Sequence, residues 1–255
     1  SEFMLAGLLP AIATELDVSV GTAGLLTSAF AVGMVIGAPV MAAFARRWPP
    51  RLTLIVCLIV FAGSHVIGAM TPVFSLLLIT RVLSALANAG FLAVALSTAT
   101  TLVPSNQKGR ALSILLSGTT IATVVGVPAG ALLGTALGWR TTFWAIAILC
   151  IPAAVGVIRG VANNVGRSAT SATSPRLRVE LSQLATPRLI LAMALGALIN
   201  GGTFAACTFL APVVTKTAGL TDGWVSIVLV MFGIGSFLGV TIAGRLSDQR
   251  PGLVL

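Results

Sequence analysis

The chain has 255 residues, 57% of them hydrophobic and 8% charged, with a formal net charge of +9 and a mean hydropathy of +1.07. Water-soluble domains carry about a quarter charged residues, which excludes a soluble fold. Apolar runs of about 18 residues or more recur, the length that crosses ~30 Å of hydrocarbon as a helix, and none alternates as a barrel strand would, so the expectation is an all-α membrane protein.

Spans are predicted near residues 1–13 (cut short), 20–45, 52–70, 72–102, 111–137, 139–158, 189–214 and 224–243. Of the 15 basic residues, 12 fall in alternate connections: Arg46, Arg47 and Arg51; Lys108 and Arg110; Arg159, Arg167, Arg176, Arg178 and Arg188; Arg245 and Arg250. The opposite side holds Arg140 and Lys216, and Arg81 falls inside a span. Such an asymmetry is the positive-inside pattern. It makes the basic loops cytoplasmic in a plasma membrane, so the charge reports orientation and not a nucleic-acid footprint. Cys57, Cys150 and Cys207 sit singly within apolar spans and read as small packing residues, with no metal-ligand spacing.

Along the first span, Glu2 lies ~16 Å inward from the helix end near Ala13 at 1.5 Å per residue. An ionisable group at that depth needs a partner or water, and a proton-binding carboxylate is the functional reading. The apolar sequence begins abruptly at Ser1 and stops at Leu255 where another span is due, so further chain is expected on both sides. The second span carries Gly33, Gly37, Ala38, Ala42 and Ala43, spacings near four that let backbones approach closely, either as a sliding interface between bundles or as ordinary tight packing. His65 in the third span is a proton relay or a hydrogen-bonded neutral imidazole, the latter favoured because no acid lies a turn away.

The fourth span places Arg81 about two turns from its outer end. A guanidinium stays charged there and must face a cavity or a carboxylate, so Arg81 and Glu2 are expected to share one polar cavity. Arg lowers a neighbouring carboxyl pKa and desolvation raises it, so their separation could load and release a proton. Asn88, seven residues on and on the same face, suits a hydrogen bond to a neutral ligand or to another helix. In the fifth span Pro128 interrupts the hydrogen-bond ladder among Gly118, Gly126, Gly130 and Gly134, which predicts a bend beside a close-packing face. Residues 163–187 are polar; the first part reads as a linker and RLRVELSQLATPR as a stretch lying along the inner membrane face. The seventh span offers Asn200 and Phe204 toward an amphipathic molecule.

The chain also repeats itself at a constant spacing of 202 residues: Gly33 maps to Gly235, Gly37 to Gly239 and Pro10 to Pro212. A repeat of that length in so apolar a chain implies two related bundles. The expected division is 1–159 as a first bundle of six helices, 160–187 as a cytoplasmic linker and 188–255 as the start of a second. After the eighth span, Gly244, Arg245 and Asp248 form a corner in which the acid can hold a facing Arg or helix N-terminus closed. The register partner of Asp248 is Arg46, so the first half lacks that acid.

With those residues in view, the chain resembles the major facilitator superfamily and its twelve-helix drug:proton antiporter branch. GRLSDQRPG is similar to the superfamily's cytoplasmic-loop motif, RVLSALANAG to the fourth-helix motif around an intramembrane Arg, GVPAG (Gly126, Pro128, Gly130) to the fifth-helix exporter motif, and SEFMLAGLLP to the first-helix motif whose carboxylate would be Glu2. The wording of residues 1–159 is nearest to actinobacterial chloramphenicol-efflux proteins. Arg46 and Pro49 depart from the pattern where an acid and a glycine are expected. The resemblance implies about eight of twelve helices, the first partial, of a monomeric exporter. It would move a small drug-like molecule, chloramphenicol first, against protons across the lipid bilayer, with no cofactor. The alternatives are a sugar or nucleoside exporter, or a non-transporting sensor or fragment. An enzyme is disfavoured by the lack of a nucleophile–base constellation, and ATP drive by the lack of a phosphate-loop motif.

Overall fold

The computed structural model describes residues 8–45, 48–161, 186–212 and 234–243, with single positions at 219, 228, 231 and 232. Helix α1, Leu9–Glu15, opens with Pro10 in its first turn, where a missing N–H leaves no bond unmade. Asp17, at φ 51°, turns the chain toward α2 (Val20–Ala45); Asp tolerates that left-handed conformation better than most side chains. The Ser19 hydroxyl accepts the Thr22 N–H at 3.0 Å and caps α2.

Helix α3, Pro50–Met70, starts on a proline and stops at Thr71, whose backbone is extended (φ −74°, ψ 134°) because Pro72 follows. Helix α4, Phe74–Thr101, is the longest, at 28 residues. A single 3-10 turn at Ser105–Gln107 leads into α5, Lys108–Val124. Helix α6, Gly126–Leu137, follows after a break at Val125 (φ −98°, ψ −42°). Residues 111–137, predicted as one bent span, thus form two helical segments; Pro128 has no N–H to offer the carbonyl of Val124, and the ladder parts there. Gly138, at φ 88°, makes the turn into α7 (Trp139–Gly160), a conformation that a side chain would strain. Helices α8, Pro187–Pro212, and α9, Ile234–Ala243, complete the described elements.

The chain divides into two compact units, residues 1–167 with 239–255, and residues 168–238. The second contains α8, whose side chains from Leu189 to Leu195 are exposed. In the first, α4 lies between α2 and α3, α3 packs on α7, and α6 on α7. One apolar cluster, at the end of the bundle that carries Glu15, joins Leu8 and Ile12 of α1, Leu26 of α2, Leu77 of α4, and Trp139 and Phe143 of α7. A second, at the other end, joins Leu54 of α3 to Val94 and Ala95 of α4.

Among the described residues, four helices are long and apolar enough to cross a membrane, those containing 20–37, 50–70, 74–101 and 139–160. Their outward side chains are themselves apolar, Val35 at 76% and Leu149 at 66% exposure among them. A surface of this kind suits lipid, where helix association rests on close packing and hydrogen bonds and not on expulsion of water.

Candidate functional site

Helix α4 carries the bundle's polar interior. Arg81 is buried, 1% exposed, and its guanidinium carbon stands 4.5 Å from the ring centre of Phe30 on α2. A ring face attracts a cation, and more so in a site stripped of water. One turn later the Ser84 hydroxyl donates back to the Arg81 carbonyl at 2.9 Å, and the Thr80 hydroxyl donates to the Leu77 carbonyl at 2.7 Å. The polar groups of this face are therefore largely consumed locally, as buried hydroxyls in helices must be when water is absent. Glu2, expected beside Arg81, lies outside the described residues.

His65 on α3 is buried at 1% exposure. Its Nδ1 lies 2.8 Å from the Phe61 carbonyl, which can only accept, so Nδ1 carries the proton and the imidazole is hydrogen-bonded as expected. Its ring sits 4.3 Å from Phe61 and 5.6 Å from Phe143, centre to centre. Among the described residues, His65 Nε2 and Thr27 Oγ1 are buried without a hydrogen-bond partner.

Gly33 and Gly37 pack against α4, within their own unit. A Cβ on Gly33 would stand 2.7 Å from the Ala85 Cβ and 3.2 Å from the Val82 carbonyl; one on Gly37 would stand 3.0 Å from the Ala89 Cβ. Their spacing of four therefore serves tight packing here. Gly90 answers from α4, where a Cβ would meet Met41 at 2.6 Å.

The side of α4 turned toward α3 is looser. Asn88 and Phe91, with Cys57 and Phe61 of α3 and Leu149, Cys150 and Ala153 of α7, line a cavity of about 220 Å³. The Asn88 amide donates to the Met34 sulfur at 3.3 Å, across to α2. Of the two parts that sequence reading allowed it, the interhelical bond is present; the cavity it lines is walled by α3 and α7 and not by Arg81. Of the fifth-helix motif, Gly126 is open to its surroundings, Gly130 is buried and its carbonyl accepts the Thr142 hydroxyl of α7 at 3.1 Å, and the Pro128 side chain lies outside the description. So do the side chains of Asn200 and Phe204, and all of Gly244, Arg245 and Asp248.

Sequence reading missed a cluster at the end of the bundle that holds Glu15. Arg140, the second residue of α7, donates from Nε to Glu15 Oε1 at 2.8 Å, and from Nη1 to the carbonyls of Ala69 and Thr71 at 2.8 Å each. Trp139 Nε1 donates to Glu15 Oε2 at 2.6 Å, and its ring lies 4.6 Å under the guanidinium carbon. The open carbonyls at the end of α3, the carboxylate ending α1 and the start of α7 are thereby tied through one side chain, a use for which the guanidinium fork is suited. The Arg140 hydrogen bond holds the Glu15 carboxyl below the usual carboxylate range; the Trp139 N–H adds to this and partial burial opposes it. The signal available in sequence was Gly138-Trp139-Arg140 opening an apolar run, but nothing in it named Glu15, 125 residues earlier, as the partner.

The family model described as Major Facilitator Superfamily matches residues 1–255. The chain is 63% identical over 256 residues to a chloramphenicol resistance protein of Streptomyces lividans, covering 100% of this chain and 65% of that protein. It is 34% identical over 253 residues to an uncharacterized MFS-type transporter of Bacillus subtilis, YtbD, covering 98% and 62% respectively. It is 31% identical over 249 residues to the inner membrane transport protein YdhP of Escherichia coli, covering 98% and 63%. The chain thus spans a little under two-thirds of the length of these relatives, and with its long apolar helices it is a multi-pass membrane protein.

Proposed function

Taking as premise that the chain belongs to the Major Facilitator Superfamily, we propose that it is part of a proton-driven exporter of a small, uncharged, partly apolar molecule, chloramphenicol first. The observation that carries this reading is the 63% identity, along the whole chain, to a protein named for chloramphenicol resistance. In the proposal the bundles are residues 1–159 and 188–255, joined by 160–187, in a monomer of the plasma membrane with its basic loops cytoplasmic.

Alternating access supplies the cycle: the bundles rock about a central site, and a ligand shifts the balance only through unequal affinity for the two states. Glu2 takes up a proton from outside and Arg81 governs its affinity, since a neighbouring guanidinium favours the ionised form. The buried charge of Arg81 is consistent with such a part, because a guanidinium held in hydrocarbon is costly unless it is used. Asn88, Asn200 and Phe204 are proposed to contact the exported molecule; Gly126, Pro128 and Gly130 to set the bend that seals its path; and Gly244, Arg245 and Asp248 to latch the cytoplasmic side.

The test is proton-coupled efflux from vesicles holding the full-length protein. Glu2→Gln is expected to insert normally and to lose pH-driven chloramphenicol export, and unchanged export would refute the role of Glu2. Export of a sugar or nucleoside in place of chloramphenicol by the unaltered protein would move the substrate assignment and leave the mechanism standing.

A further inference from the structure

The cavity beside Asn88 lies at the middle of its helices. Asn88 is about 20 Å from either end of α4 at 1.5 Å per residue. Leu149, 66% exposed, and Ala153, also exposed, stand at its mouth on the apolar outer face of α7. An apolar outer face of this kind suits lipid, so the mouth is placed to admit molecules from the bilayer.

The lining selects chemistry. It carries no charged side chain, so a charged guest would be stranded. Phe61 and Phe91 supply ring faces and edges, and the sulfurs of Cys57 and Cys150 are soft, polarizable neighbours for an aromatic ring. Asn88 is the single strong hydrogen-bonding side chain in the wall. Among the described residues its amide makes one hydrogen bond, donated to a thioether, which is a weak acceptor. Its carbonyl oxygen and second N–H thus remain available in a medium where unmade hydrogen bonds are expensive. At about 220 Å³ the space exceeds the roughly 150 Å³ of a cavity that takes benzene, and falls short of the roughly 300–1,000 Å³ typical of drug-sized pockets.

We propose that this cavity binds an uncharged, single-ring aromatic molecule bearing one hydrogen-bonding group, drawn from the bilayer, with the ring against Phe61 and Phe91 and the polar group on Asn88. That the site serves the exported molecule rests on the transport reading above; that it binds at all stands on the cavity alone.

The test is photolabelling of the full-length protein in lipid nanodiscs with a trifluoromethyl-diazirinyl benzyl alcohol, mapped by peptide mass spectrometry. The expected result is saturable labelling near Cys57, Asn88 and Cys150 that para-nitrobenzyl alcohol displaces. Ala153→Phe and Leu149→Trp, both at exposed positions, are expected to remove the saturable part. Asn88→Ala should raise the half-saturating concentration about five-fold, the loss of one neutral hydrogen bond. Labelling that rises linearly and spreads over every lipid-facing helix would overturn the proposal, as would saturable labelling indifferent to both mouth substitutions. Glu2→Gln separates the two readings: it should leave labelling unchanged while abolishing export. If export is proton-independent and labelling still saturates, only the transport reading falls.

Discussion

Helix α4 has two faces of opposite character. Toward α2 it offers Val82, Ala85 and Ala89 to Gly33 and Gly37, at separations that leave no space for one more carbon. Toward α3 and α7 it offers Ala87 and Phe91, and a cavity remains, with Asn88 at the border between the faces, bonded to Met34 of α2. Composition does not distinguish the two faces, since both are apolar and rich in small residues. What differs is the partner. Glycines let α2 come in against the α4 backbone, whereas Phe61 and Phe91 stand where α3, α4 and α7 line one cavity. A close contact is a permanent fixture; an unfilled junction is available for use.

The largest expected effect breaks the tight face. Gly33→Leu places a side chain where a bare Cβ already stands 2.7 Å from Ala85. Overpacking of this kind costs about 3 kcal/mol at the upper end of its usual range, so a large fall in unfolding temperature and in monodisperse yield is expected in detergent. Wild-type thermal stability in that variant would mean that α2 and α4 are not locked together.

A matched pair sharpens the contrast. Ala85→Val on the tight face should destabilise by about 1–3 kcal/mol, while Ala87→Val, which adds carbon beside the cavity, should be neutral or stabilise by up to about 1 kcal/mol through filling it. Equal thermal shifts for the two variants would erase the distinction between the faces.

The third prediction concerns the Glu15 end, where polar groups do what glycines do on the tight face. Arg140→Gln strands the Ala69 and Thr71 carbonyls and should cost about 1–3 kcal/mol. The smallest effect is that of Glu15→Gln, within about 1 kcal/mol, because the pair is substantially exposed to solvent. It carries a pH signature. The folded-state pKa of Glu15 is depressed, so its stabilising contribution is present above the unfolded value and lost as pH falls through the depressed folded one. The difference in unfolding temperature between wild type and Glu15→Gln should hold at neutral pH and shrink under acid; a gap that widens under acid would contradict the tie.

Much of the helical frame was legible because apolar runs are bounded by residues with defined backbone habits. The second predicted span, 20–45, has the bounds of α2 in the structure. The third and seventh helices differ from their predicted spans by two residues at one end, since Pro50 can open a helix and Gly160 does not close one. Burial of Arg81 followed from where it falls in its run, and so did the hydrogen-bonded His65. The tie of Glu15 to Arg140 and the cavity beside Asn88 did not follow. Both depend on which helices become neighbours, and a single sequence encodes spacing along one helix far better than adjacency between two. The glycine pattern shows the same limit: it announced a close contact and left the partner open until α4 was seen to fill it.

Arg140 is also a late arrival. Glu15 and the carbonyls of residues 69 and 71 all precede α7 in the chain, and one guanidinium from the start of α7 joins them. Domains assemble largely in order of synthesis. Within the bundle the start of α7 therefore acts as a keystone, one side chain closing the ends that α1 and α3 leave open.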